Sequence, residues 1–211
     1  EPMLGKHSLL TLDGAEHLRQ RRMLLPAFHG ERMHAFTTVM REITEASLDS
    51  WPMHREFALH PMMQAITLDV ILRTVFGLSS VASHARLRET LVELLETATN
   101  PWLLLPGILG LDPFKIPWLR LTKLKREVDD ALYGIIAERR RQSAAGTDVL
   151  SMMLDARDDQ GGAMTDVELR DELVTLLLAG HETTATSLAW TFDQLLMHPH
   201  VLERLCADLS A

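Results

Sequence analysis

The 211 residues are 46% hydrophobic and 24% charged, with a formal net charge of −8; this is enough apolar material for one good core, and the acidic balance excludes nucleic acid as the main partner, because phosphate binding needs a basic face. The single cysteine, Cys206, excludes an internal disulfide and points to a cytoplasmic setting, while no apolar run approaches the roughly 20 residues of a membrane span. Only 5% of the residues are aromatic, so helix is favoured over sheet.

In chain order, Asp13-Gly14 predicts a turn, and a basic helix follows over 15–25, closed before Pro26. A second helix is expected over 30–48, with Met33, Phe36, Val39, Met40, Ile43 and Leu48 near helical spacing. Residues 60–78 are apolar almost all round, the pattern of a buried central helix, and Gly77 fits its stop. An amphipathic helix over 84–98 leads into 100–118, where Pro101, Pro106, Pro113 and Pro117 predict an apolar loop. A charged helix then runs to about 142, followed by a linker over 143–148 and a short helix over 148–155. Thr165 with Glu168 forms a capping-box pattern for a helix over 166–197, about 48 Å long at 1.5 Å per residue. Pro199 opens a last helix. No strand, repeat or low-complexity tract is predicted, and the fold class is all-α. Glu1 stands where an initiator methionine would, so the sequence reads as a piece of a longer chain.

One turn of the long helix breaks the rule the rest obeys. In "TLLLAGHETTATSLAW" (175–190), an apolar run stops to seat Gly180, His181, Glu182, Thr183 and Thr184. A mid-helix glycine costs about 1 kcal/mol relative to alanine and each threonine up to about 0.7 kcal/mol. A rule broken without local gain marks a place where function sits. Glycine lets something flat approach the backbone, a threonine hydroxyl can open the helical ladder, and Glu182 can relay protons. The plainer alternative is a small-residue contact where two helices cross.

Ala179-Gly180-His181-Glu182-Thr183-Thr184 resembles the distal-helix signature of the cytochromes P450. Three further stretches resemble that family in the same order: "LDGAEHLRQRRMLLPAF" its propionate-binding helix, "ITLDVILRTVFG" its buried central helix, and "LLMHPHVLERLCADL" the helix after the long one. The resemblance, to soluble bacterial-type members, covers essentially all 211 residues. It implies a propionate helix at 13–25, a central helix at 60–78, substrate-lid helices and loop over 84–142, and the distal helix at 165–197. It implies haem as cofactor, with His17 and Arg21 on the propionates, Ala179, Gly180 and Thr183 along the distal face, and Leu10 and Phe28 at the haem edge. Thr183 would hydrogen-bond the bound dioxygen, and Glu182 would pass protons inward. The activity implied is an oxidoreductase's: one oxygen atom from O2 enters an apolar small-molecule substrate, with electrons from a ferredoxin or flavoprotein type of partner. For His17 and Arg21 the competing reading is a solvated basic face, since Arg19 and Arg22 sit alongside; Leu10 and Phe28 also suit a core.

The resemblance stops short of the family's cysteine loop, Glu-x-x-Arg pair and small β domain. Cys206 sits in helical sequence, where a cysteine behaves as a small hydrophobe, so no metal ligand is assigned within this chain. The expectation is a single helical part of the P450 fold, not catalytic alone, whose uncovered faces promote self-association. Two other readings compete. "HETTA" nearly fits a zinc helix but has Ala185 at the second ligand position, and a non-enzymatic all-α ligand-binding module would explain the helices but not the ordered motifs.

Overall fold

The computed structural model describes residues 4–78, 84–99, 115–142 and 146–210. It is built of helices α1 (Gly14–Leu24), α2 (Glu31–Leu48), α3 (Leu59–Thr74), α4 (Ala85–Thr99), α5 (Lys115–Gln142), α6 (Val149–Asp155), α7 (Asp166–Met197) and α8 (Pro199–Leu209), with a 3₁₀ turn at Leu25–Phe28. No strand occurs among the described residues.

The first half of α7 is the axis of the core. Its Leu169, Leu173 and Leu177 are almost wholly buried, and Glu168, Arg170, Asp171, Glu172 and Thr175 are buried beside them. Leu68 and Leu72 of α3, Leu132 and Ile136 of α5, and Leu150 and Met153 of α6 join the same cluster. Thr165 and Glu168 cap α7 reciprocally, hydroxyl to backbone and carboxylate to backbone. From Ala179 onward the composition changes to small and polar residues, and one side of the helix lies uncovered by the described residues.

The basic helix closes before Pro26, as expected: α1 ends at Leu24, and Pro26 sits near the start of the 3₁₀ turn that follows. Two expectations are corrected in detail. Of the stretch expected as a loop over 100–118, residues 115–118 are helical, because α5 begins at Lys115 and holds Pro117 in its first turn; residues 100–114 lie outside the described residues. The long helix is α-helical through the anomalous turn without interruption. Thr183 Oγ1 donates to the Ala179 carbonyl as foreseen, yet the ladder does not open into another helix type. Gly77, past the end of α3, adopts φ +67°, the left-handed geometry that ends a helix.

Candidate functional site

The basic helix α1 sorts its charges by face. Arg19 Nε lies 2.7 Å from Asp158 Oδ2 and its Nη1 2.7 Å from Glu168 Oε1, and Arg22 pairs with Asp159 at 2.9 Å. The Asp158 carboxyl is held below the ordinary carboxylate range, first by Arg19 and then by the Gly162 amide. His17 and Arg21, four residues apart and so on one face, take no part in this. His17 is half-buried, Arg21 is exposed, and neither side chain has a hydrogen bond or ion pair among the described residues. Arg19 and Gln20 bring α1 against α7 at Glu168, about three turns before Ala179.

The anomalous turn faces three ways. Ala179 and Thr183 are exposed on the uncovered side, and Ser187 and Thr191 continue that stripe, each hydroxyl donating to the carbonyl four residues back at 2.8 Å. Gly180 faces α3: a Cβ there would lie 3.2 Å from Ile71 Cδ1. This realises the helix-crossing reading for Gly180. Glu182 points to the first turns of α3, accepting from Gln64 Nε2 at 2.9 Å and lying 3.4 Å from His60 Nε2. His181 is buried, its Nδ1 3.0 Å from Thr67 Oγ1. Burial lowers its pKa, partly opposed by Glu182 and supported by His60 and Arg88. Ala185, fully buried, packs with Met63 and Ile66.

Two cavities flank this segment. An apolar one of about 500 Å³ lies between α2, α3 and α7, with Phe28, Phe36, Val70, Ile71, Ala179 and Gly180 among its walls. A more polar one of about 240 Å³ on another side is walled by Gln64, Arg88, His181 and Glu182. The structure therefore brings Phe28, Ala179 and Gly180 to one cavity, leaves Thr183 on the exposed face beside it, and sets Glu182 at the other cavity. Leu10, 66% exposed, and the His17–Arg21 pair line neither. Sequence reasoning missed His60 and Gln64, which touch Glu182 from more than a hundred residues away, a pairing no local pattern signals; Thr184, singled out in the anomalous turn but given no role there, lines the apolar cavity. Chemically, a bare stripe of small side chains, an apolar hollow and an uncommitted guanidinium with an imidazole beside it suit a flat apolar ligand with an anionic edge.

Residues 3–211 match the family described as cytochrome P450. Among curated relatives, putative cytochrome P450 135B1 of Mycobacterium tuberculosis is 42% identical over 217 residues, covering 99% of this chain and 45% of that protein. Putative cytochrome P450 138 of the same organism is 39% identical, covering 99% of this chain and 47% of the relative. The chain thus spans a little under half the length of these relatives. Among solved structures, a cytochrome P450DA haem domain superposes with a TM-score of 0.82 at 27% identity, over 96% of this chain and 45% of that one. A retinoic acid-bound cyanobacterial CYP120A1 superposes equally well, at 0.82 over 97% of this chain and 45% of the other; at 24% identity it speaks for the fold alone.

Proposed function

The chain belongs to the cytochrome P450 family, and from that premise we propose that the whole protein is a haem-dependent monooxygenase to which these residues contribute the distal wall and the propionate clamp. One observation carries the reading: α1 commits Arg19 and Arg22 to Asp158, Glu168 and Asp159 while leaving His17 and Arg21 without partners among the described residues. A merely solvated basic face gives no reason for that division; a clamp for an anionic edge does.

The residues present fit haem in two respects. The stripe through Ala179 and Thr183 offers a face with no bulky side chain for a planar group, and Arg21 supplies the fork geometry that pairs with a carboxylate. When bound, haem supplies the activation of O2. Ala179 and Gly180 would lie along the porphyrin, Arg21 and His17 would hold the propionates, and Phe28 and Leu10 would sit at the edge. Thr183 Oγ1 keeps its proton on the Ala179 carbonyl and must release that bond to donate toward the open face. Glu182, held by Gln64 and His60 on the other side of the helix, must turn to pass a proton toward Thr183. The apolar cavity beside this face accords with an apolar substrate; electrons would come from a ferredoxin or flavoprotein type of partner. The thiolate ligand of the family would come from outside these 211 residues, because Cys206 is exposed on α8 and forms no part of either cavity. This chain alone is therefore not catalytic, and its setting is cytoplasmic.

The test is a hemin titration of the 211-residue chain followed by reduction under carbon monoxide. Saturable hemin binding that Arg21→Gln weakens severalfold, without a thiolate-type band, is expected. A thiolate-type band from this chain alone, or binding indifferent to Arg21→Gln, contradicts the reading.

A further inference from the structure

Where the N-terminal segment and α1 meet α7, the interior holds a group that the proposed function does not use. Glu172 is fully buried, and among the described residues neither carboxylate oxygen makes a well-formed hydrogen bond, although the Leu9 amide approaches as a donor. Gln20, on α1 and 2% exposed, turns its Nε2 to Glu168 Oε1 at 3.4 Å, and its own Oε1 has no donor. Glu168 lies one turn before Glu172 on the same helix face. Among the described residues these three buried acceptor atoms are thus left without a well-formed hydrogen bond. An ionised carboxylate is strongly disfavoured in such a place, whereas a neutral carboxyl brings the missing O–H itself.

The N-terminal segment closes over this point. Gly5, at φ +87°, approaches Asp171 so closely that a Cβ would lie 2.1 Å from its Oδ1. The His7 amide donates to Asp171 Oδ2 at 3.0 Å, and Thr175 Oγ1 is 2.6 Å from the fully buried Ser8 Oγ. The charges around Glu172 give it no counterion. Glu168 and Asp171 on its own helix are acidic. Arg170 is committed to Asp171 and to Asp129 of α5, and Arg19 of α1 to Glu168 and Asp158. Lys6 and His7 on the segment are exposed, and α6 contributes the apolar Leu150 and Met153 to this core.

We propose that Glu172 is a positioning residue which, as a neutral acid, seats α1 and the N-terminal segment on α7, and whose ionisation releases both, together with the His17–Arg21 pair. The link to haem rests on the function proposed above; the seating of α1 does not. Burial pushes the Glu172 carboxyl up to about 7, with the Leu9 amide opposing and Asp171 and Glu168 adding to the rise. The native state thus binds this proton more tightly than the unfolded chain does, so seating weakens as pH climbs from the ordinary glutamate range through about 7 and is level above it.

Amide hydrogen exchange of α1 and residues 8–12, corrected for intrinsic pH dependence, tests this in the 211-residue chain at pH 6 and pH 8. In the wild type, opening should rise severalfold, to at most about tenfold in all, between pH 6 and pH 8, with nearly all of the rise completed just above pH 7; in Glu172→Gln, which supplies a donor without a charge, it should be equal at both. Should Glu172→Gln fail to fold, Glu172→Leu is expected to give the same flat profile. Protection in the wild type that is equal at pH 6 and 8, or a variant that keeps the wild-type profile, overturns the proposal; the latter would assign the titration to another group such as His181. Hemin titrations of wild type, Glu172→Gln and Arg21→Gln at both pH values separate the two readings. Binding indifferent to Arg21→Gln defeats the haem reading and leaves the exchange result standing, whereas a pH-independent exchange profile with Arg21-sensitive binding defeats only the positioning role.

Discussion

At Gly180, two explanations of one residue meet. Ile71 Cδ1 would lie 3.2 Å from an added Cβ, a contact that the tip of a flexible side chain can relieve. Alanine also regains about 1 kcal/mol of helix propensity, so Gly180→Ala should leave stability to urea within about 1 kcal/mol of the wild type while reducing hemin affinity. Unchanged affinity would mean that the glycine serves the α3 crossing alone. At Glu172 the sign runs with pH. Glu172→Gln should stabilise the chain at pH 8 by an amount on the order of a few kcal/mol, with the gain shrinking to nothing by about pH 4; urea unfolding at the two pH values measures it, and a gain equal at both contradicts the buried-acid account. The anomalous turn was legible in the sequence as a string of poor helix formers, but the three directions in which Ala179, Gly180 and Glu182 face were not. Orientation depends on which helix crosses where, and α3 is more than a hundred residues away in sequence.

Elements differ in how much each contact weighs. The Arg22–Asp159 pair is largely exposed, at 68% and 85% of its side chains, and Arg22→Leu should cost no more than about 0.5–1 kcal/mol. Arg19 also serves Glu168, whose side chain is only 12% exposed, so Arg19→Leu should cost about 1–3 kcal/mol by leaving that carboxylate short of its cation. Equal costs in paired denaturation curves would contradict the division of labour on α1. At the head of α7, Thr165→Ala removes one half of the capping box and should cost about 1 kcal/mol. The bounds of α7 and α8 were readable because caps and Pro199 mark them locally. The start of α5 was not: Pro117 reads as a breaker until its place in the first turn is known.

For the molecule as a whole, all-α architecture followed from periodicity and the near absence of strand formers, and the order of motifs located the chain within its family. What periodicity does not tell is which faces the described residues leave bare. Trp190, Leu196, Met197 and Leu209 are 64–79% exposed, and α8 buries no residue at all. Apolar surface of this extent favours association, so sedimentation velocity is expected to show concentration-dependent self-association; a monomer at all concentrations would contradict it. The central claim, that the open face of α7 and the His17–Arg21 pair of α1 form one wall for a haem, is tested most directly by paramagnetic broadening of backbone amides on adding ferric hemin. Loss of signal centred on 14–24 and 179–184, with α8 untouched, is the predicted result; broadening confined to α8 and the end of α7, with Ala179 and Arg21 silent, would contradict it.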